Sequence, residues 1–151
     1  MKIRLWTLLL SVFFAASVFA ADPILPDPHL TPGATVQVSI DAICTPHYTE
    51  AVRHVTAATK RKVFAEYGID PANSREYEVD HLISLELGGS NDIKNLWPQS
   101  YKTKPWNARK KDVLENRLHH LVCERMITLE EAQRAIATNW IAAYQEYVGK
   151  N

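Results

Sequence analysis

The pair Asp80-His81 places a carboxylate beside an imidazole, inside the apolar run of residues 77–85. Such a pair could do acid–base chemistry, although a lone histidine in a strand is more often a core or surface residue. Two amides follow, Asn95 fourteen residues after His81 and Asn107 twelve residues after Asn95. This context distinguishes His81 from an isolated histidine and makes the segment the first candidate site.

The same segment resembles the HNH endonucleases, a family with a ββα-metal fold. The family motif places Asp-His in a first strand, then a Gly-Gly loop, an Asn-Leu pair opening a second strand, and a His or Asn on the following helix. The matching residues here are Asp80-His81, Gly88-Gly89, Asn95-Leu96 and Asn107. The resemblance covers about residues 77–117 and is fairly specific, because the features occur in order at the right spacing. More broadly, the chain is similar to small secreted bacterial HNH-like proteins.

The resemblance implies a metal-dependent endonuclease that hydrolyses nucleic-acid phosphodiester bonds with little sequence preference. His81 is implied as the general base. Asp80 and Asn107 are implied as oxygen ligands of a divalent ion, first of all Mg²⁺, with Mn²⁺ or Zn²⁺ as alternatives. Asn95 is implied as a catalytic-site residue that ties the loop to the backbone and so orients His81.

The chain departs from the family pattern in three ways. The Cys-x-x-Cys pairs that hold zinc in many relatives are absent. Ser84 stands where a proline often follows the Asp-His string. The third motif position is assigned to Asn107 rather than to a histidine, and Asn116 and Lys104 lie near enough in sequence to compete for it.

Charge is distributed unevenly around this motif. Residues 94–117 include seven basic side chains against two acidic ones, a local excess of five. A charge run is usually a solvated helix face, but beside a nuclease motif it predicts contacts to backbone phosphates by Lys104, Arg109, Lys110 and Lys111. Glu78 and Glu86 are expected to be exposed strand charges outside the site.

The N-terminus is typical of a cleavable export signal over residues 1–20. Two basic residues precede an apolar run over 5–19, and Val18 and Ala20 occupy the positions where signal peptidase needs small residues. An uncleaved anchor is disfavoured because a spanning helix needs roughly 20 apolar residues. We expect a secreted or periplasmic protein with no membrane association after cleavage. Losing two of 17 basic residues leaves 15 against 17 acidic ones, a net charge of −2.

Two cysteines, Cys44 and Cys123, are predicted to form a disulfide, because an even count in an exported chain indicates pairing. The bond would close a loop of about 80 residues and contribute on the order of 4 kcal/mol in the chain-entropy model. The weaker alternative is a zinc site in which the cysteines join His47 and either His119 or His120, without the paired thiolates of structural zinc sites.

The pattern predicts one α+β domain, helix-rich, in which flanking helices surround a ββα core of the HNH type. The expected divisions are a Pro-rich extended arm at 21–35 and a single domain at 36–151, with the core at about 77–125 and the last helix at about 128–147. Local signals predict a strand at 36–40, a helix from Thr56 to Gly68, strands at 77–85 and 95–97 with Pro98 as terminator, and helices at 106–125 and from Thr128.

Composition excludes disorder, collagen and coiled coil, since 46% of the 151 residues are hydrophobic and eight prolines and five glycines are scattered. Two readings beside the nuclease stay open. One is a non-catalytic envelope module that binds nucleic acid or protein on the same scaffold, and the other is a structural periplasmic protein. The intact motif favours a monomeric enzyme with DNA as its partner. RNA as a substrate and an inhibitor partner are left open.

Overall fold

The computed structural model describes residues 25–149, so the predicted export signal lies outside the described residues. About half of these residues are helical, and a two-stranded antiparallel sheet makes this an α+β fold. The helices are α1 (Ile40–Ile43), α2 (Tyr48–Val52), α3 (Ala57–Glu66), α4 (Ala108–Cys123) and α5 (Leu129–Tyr147), and the strands are β1 (Tyr77–His81) and β2 (Leu96–Ser100). Between residues 25 and 149, no helix is long and apolar enough to cross a membrane.

The two strands pair in a register that places Val79 opposite Pro98. Pro98 therefore lies inside β2 and does not end it, so the prediction of a terminator was wrong. The hydrogen bond from Leu82 N to Asn95 O (2.7 Å) shows which pairs of the ladder are hydrogen-bonded. Counting from it, Val79 and Pro98 form a non-hydrogen-bonded pair, where the missing N–H of proline is not needed.

The first strand is shorter than predicted, because it ends at His81 rather than at residue 85. Leu82 and Ile83 are buried in the core, and a single 3₁₀ turn, Leu85–Leu87, follows them. The second strand begins one residue later than predicted, at Leu96. His81 therefore lies where β1 gives way to a turn, which places its side chain at the end of the sheet.

Helix ends follow the capping signals. Thr56 and Thr128 each accept, through Oγ1, the backbone N–H three residues further on, at 3.1 Å in both helices. The helix after Thr56 ends before Gly68, whose φ of 66° is left-handed. Both predicted starts and this end are confirmed. Helix α4 begins later than predicted, because Asn107 is its N-cap.

The alternating segment 36–40 does not form the predicted strand. Only Thr35 bridges to another segment, at Gly89, and Ser39 instead caps α1 by accepting the N–H of Ala42 at 3.2 Å. A period of two predicts a strand only if a second strand lies alongside to pair with it. Here the neighbouring backbone is a turn, so pairing stops after one bridge.

The core is built mainly between α4 and α5, with the fully buried Trp97 of β2 and Trp140 of α5 among its largest side chains. The predicted disulfide is present. It joins Cys44, directly after α1, to Cys123, the last residue of α4, with their Cα atoms 5.8 Å apart. This bond links the end of α1 to the C-terminal end of α4.

Candidate active site

The imidazole of His81 is held by a side chain that the sequence analysis missed. His81 is 3% exposed, and its Nε2 lies 3.2 Å from Asn91 Oδ1. The Asn91 amide is oriented independently, because its Nδ2 donates to Val52 O (2.8 Å) and its Oδ1 accepts from His54 N (3.1 Å). This network assigns the proton to Nε2 and leaves Nδ1 as the basic nitrogen of the neutral ring.

Burial lowers the pKa of His81 below its ordinary value of 6.5, and the hydrogen bond that the ring donates to Asn91 and the charge of Asp80 oppose that effect without cancelling it. The nearby cation of Arg53 lowers the pKa slightly further. The imidazole is therefore neutral at pH 7. A neutral imidazole with an unprotonated Nδ1 can accept a proton from water, which is the task of a general base.

A buried lysine ties Asp80 to α4. Asp80 Oδ2 accepts from Lys111 Nζ at 2.8 Å, and Oδ1 accepts the His81 N–H at 2.8 Å. Lys111 is fully buried, donates to the His81 carbonyl at 2.6 Å and pairs with Glu115. Burial alone would lower the pKa of this ammonium, but the two carboxylates outweigh burial and raise it. The predicted phosphate contact by Lys111 was wrong, because its charge is enclosed and already paired.

Both expected metal ligands already have partners. Asp80 uses one oxygen for a backbone N–H and the other for Lys111. Asn107 Oδ1 accepts the N–H of Lys110 at 3.2 Å as the N-cap of α4. A divalent ion on Asp80 would lie close to a buried ammonium, and the two cations would repel each other in a weakly screened setting. The donors in this arrangement do not fit a metal ion.

One group of metal-type ligands occurs in the part of the chain that the structure describes. Cys44, His119 and Cys123 bring ligand atoms within 4.8 Å of one another. Both sulfurs are joined in the disulfide, so the thiolates that zinc would need are not present. His47, a ligand in the zinc alternative, instead pairs with Glu50 at 3.2 Å. The disulfide, not a zinc ion, holds these segments together.

The connection between the strands is shaped by Asn95, which is fully buried. Its Oδ1 accepts from Ile83 N, and its Nδ2 donates to Ile83 O and Ser90 O, all at 2.9 Å. At Gly89 an added Cβ would lie 1.8 Å from Ile83 O, so only glycine fits beside this turn. The turn directly follows His81, and Asn95 therefore positions the imidazole through the backbone.

Asn95→Ala is expected to lower the free energy of unfolding by about 2 kcal/mol, because it leaves buried backbone groups of Ile83 without partners. Asn116→Ala is the matched control, since that exposed amide donates only to Asp112 O on its own helix. Its cost is expected to stay below about 0.5 kcal/mol. Urea unfolding followed by circular dichroism measures both, and equal costs would show that the Asn95 amide does not hold the connection.

A cavity of about 330 Å³ opens beside His81, between α3, the turn Pro71–Glu76 and β1. Its lining combines cationic, aromatic and acidic side chains, among them Arg53, Lys60, Arg75, Phe64, Tyr77, Tyr101 and Glu78. Burial and then the Asp80 carboxylate raise the pKa of Glu78, although a hydrogen bond from Tyr101 opposes this. Glu78 and Glu86 are both partly buried, so the prediction of exposed strand charges was wrong for each.

The basic residues predicted on and before α4 do not line this cavity. Lys104 and Arg109 are exposed elsewhere, and Lys110 Nζ lies 3.3 Å from Tyr144 OH and 5.1 Å from the centre of that ring. The cations that share a cavity with His81 come instead from α3 and the segments before and after it. Lys60 and Phe64 are four residues apart on α3, and this spacing was the one sequence signal for a common face.

No protein-family model matches this chain, and no curated protein or solved structure matches it. The site is therefore interpreted from its own geometry. A neutral imidazole, a partly buried carboxyl group and three cations surround one cavity, while the buried pair of Asp80 and Lys111 fixes the backbone behind it.

Proposed function

We propose that this chain is an exported nuclease of the HNH type, which hydrolyses phosphodiester bonds of nucleic acid with little sequence preference. The observation that carries the proposal is that His81 lines a cavity together with Arg53, Lys60 and Arg75. Cations bind phosphate, and a neutral imidazole activates water, so the two requirements of phosphodiester hydrolysis meet in one place. The order β1, β2, α4, joined through the pair of Asp80 and Lys111, agrees with a ββα core.

In this mechanism His81 Nδ1 takes a proton from a water molecule while the water oxygen forms a bond to phosphorus. Arg53, Lys60 and Arg75 hold the phosphate oxygens and stabilise the charge that develops on them. The bond from phosphorus to the leaving oxygen breaks, and the protonated carboxyl group of Glu78 returns a proton to that oxygen. No base is read, which is consistent with cleavage that ignores sequence.

The neighbours of His81 act as positioning residues. Asn91 holds the ring in one tautomer, and Asp80 binds the backbone N–H of His81. Lys111 binds the carbonyl of the same residue, so both sides of the His81 peptide are fixed. A base fixed in this way does not have to be oriented at the moment of reaction.

The proposal is tested by incubating the purified mature chain with supercoiled plasmid, single-stranded DNA and RNA. We expect nicks and then shorter fragments to accumulate with time, because the cavity binds backbone phosphate and reads no bases. The exposed-residue variant His120→Gln serves as a preparation control, and it should cleave at the wild-type rate. Absence of cleavage on every substrate would contradict the nuclease and favour the non-catalytic binding module.

The same assay tests Mg²⁺ dependence, which the resemblance implies and the arrangement of donors does not support. Because Lys111 already occupies the Asp80 carboxylate, we expect cleavage to persist in EDTA. Cleavage that is lost in EDTA and restored by Mg²⁺ or Mn²⁺ would mean that an ion displaces Lys111 from Asp80. That result would support the nuclease, but it would contradict the proposal that Lys111 remains paired with Asp80 during cleavage.

The rate of cleavage is expected to show a bell-shaped dependence on pH. The active form needs neutral His81, present above the pKa of the imidazole, and protonated Glu78, present below the pKa of the carboxyl group. Burial lowers the pKa of His81 from 6.5 and raises that of Glu78 from 4.5, so the two pKa values approach each other and the maximum lies between them. Glu78→Gln should cleave more slowly than the wild type, and its rate should not fall at high pH. An unchanged profile in Glu78→Gln would remove Glu78 from the mechanism.

A further inference from the structure

We propose that the cavity beside His81, bounded by α3, the turn Pro71–Glu76 and β1, binds nucleic acid as a single strand. Phosphates lie against Arg53, Lys60 and Arg75, and a base stacks on Tyr101. This inference rests on the proposed nuclease function and names the form of substrate that the site takes.

The charges of the cavity are available for a ligand. Arg53 follows α2, Lys60 lies in α3 and Arg75 lies in the turn before β1, and all three are exposed. In the described range 25–149, none of the three takes part in an ion pair. Glu78 is the acidic residue in the lining, so the cavity has an excess of two positive charges when Glu78 is ionised and of three when it is protonated. A run of phosphates would supply the missing negative charge.

Aromatic side chains lie among these cations. Phe64 and Tyr77 are partly buried in the wall, whereas Tyr101 is 41% exposed at the end of β2. Tyr101 directly follows the strand, and its phenol is hydrogen-bonded to Glu78, which holds the ring at the cavity. Cations interleaved with aromatic rings are the usual composition of surfaces that bind single strands, because every base has a face that can stack.

The shape of the cavity favours a single strand over a duplex. A volume of about 330 Å³ lies at the lower end of the range for small-molecule pockets. Such a space admits one nucleotide and cannot admit a double helix. Bases in a duplex are stacked on one another and hidden from a recessed aromatic ring, so a duplex could offer only its outer phosphates.

The position of the cavity also brings a bound nucleic-acid strand next to the proposed catalytic residues. His81 and Glu78 line the same cavity as the three cations, so a strand held at Arg53 and Arg75 passes the base and the acid. Lys104 and Arg109 lie outside this lining and are not needed for the path. They provide matched controls of the same charge.

The test measures binding separately from cleavage, using His81→Gln in the intact mature chain so that the probe survives. A fluorescent oligonucleotide of about ten nucleotides, as DNA and as RNA, is titrated by anisotropy against the same sequence in a duplex. We expect the single strand to bind roughly tenfold more tightly than the duplex. Tyr101→Ala should weaken single-strand binding roughly tenfold, while Tyr101→Phe, which keeps the ring but loses the hydrogen bond to Glu78, should lose less affinity than Tyr101→Ala.

Salt dependence identifies the phosphate contacts. Combined replacement of Arg53, Lys60 and Arg75 by alanine should reduce the slope of log Kd against log salt by about 2, since each phosphate contact on a single strand contributes about 0.7. Arg109→Ala should leave the slope unchanged. Thermal unfolding shows whether the triple variant is folded. Each single alanine variant should lower the slope by about 0.7, so the single variants test the same contacts independently.

The outcomes separate this inference from the nuclease proposal. Binding of the duplex that equals or exceeds binding of the single strand would contradict single-strand binding in the cavity, even if the wild-type chain cleaves DNA. The same conclusion would follow if Arg109→Ala lost binding while the triple variant bound normally. Tyr101-dependent binding of single strands by a wild-type chain that cleaves nothing would support the cavity and reject the nuclease.

Discussion

Replacing His81 with glutamine is expected to slow cleavage by about 10²- to 10⁴-fold, the contribution typical of a general base. Glutamine retains an amide N–H that can donate to Asn91 Oδ1 in place of Nε2. It has no basic nitrogen at the position of Nδ1. The substitution therefore keeps the contact that orients the side chain and removes the group that accepts the proton.

Single-turnover cleavage of single-stranded DNA measures this loss without a contribution from product release. His120→Gln is the matched control, because His120 is exposed on α4 and makes no contact with the cavity. Thermal unfolding of both variants shows whether the fold is retained. A folded His81→Gln variant that cleaves as fast as His120→Gln would show that His81 is not the base, and the proposed mechanism would fail.

Replacing Lys111 with methionine is expected to lower the free energy of unfolding by about 3–5 kcal/mol, the usual cost of removing one partner from a buried ion pair. Methionine fills much of the same volume but leaves Asp80 with an uncompensated charge near the core, whereas Glu115, whose pKa is raised by burial to about 8, takes up a proton. It also leaves the His81 carbonyl without its donor. The loss comes from the charges left behind more than from the contact itself.

Denaturant unfolding of Lys111→Met beside Arg109→Met tests this explanation. Arg109 is two residues earlier on the same helix and exposed, so its replacement should cost less than about 0.5 kcal/mol. Adding Asp80→Asn and Glu115→Gln to Lys111→Met should restore much of the lost stability, because no buried charge then remains unpaired. If Lys111→Met costs no more than Arg109→Met, the ammonium is not buried among carboxylates.

Features that depend on neighbouring residues could be predicted from the sequence. Thr56 and Thr128 cap their helices and Gly68 follows the end of α3, because a cap needs only the backbone of the next turn. The disulfide could be predicted from the number of cysteines and the predicted export signal. The strand predicted at 36–40 does not form, because an alternating pattern does not indicate whether a partner strand lies alongside.

The motif also identified residues that lie together at the candidate site, since Asp80, His81 and Asn95 meet around one turn. Their partners could not be found in this way. Asn91 reaches His81 only because its amide is held by the backbone at the end of α2, a segment about 40 residues away in sequence.

The roles of the lysines were decided by tertiary structure alone. In sequence, Lys110 and Lys111 are equivalent members of a basic run. Neighbouring residues of a helix project about 100° apart, so the two side chains meet different surroundings. The contact of α4 with the end of β1 brings Asp80 over Lys111. A buried ammonium is stable only where carboxylates and a carbonyl surround it. Glu115 lies on the same helix, but the Asp80 carboxylate and the His81 carbonyl come from residues distant in the chain. The same packing brings Arg53, Lys60 and Arg75, which are scattered in sequence, to one cavity beside His81.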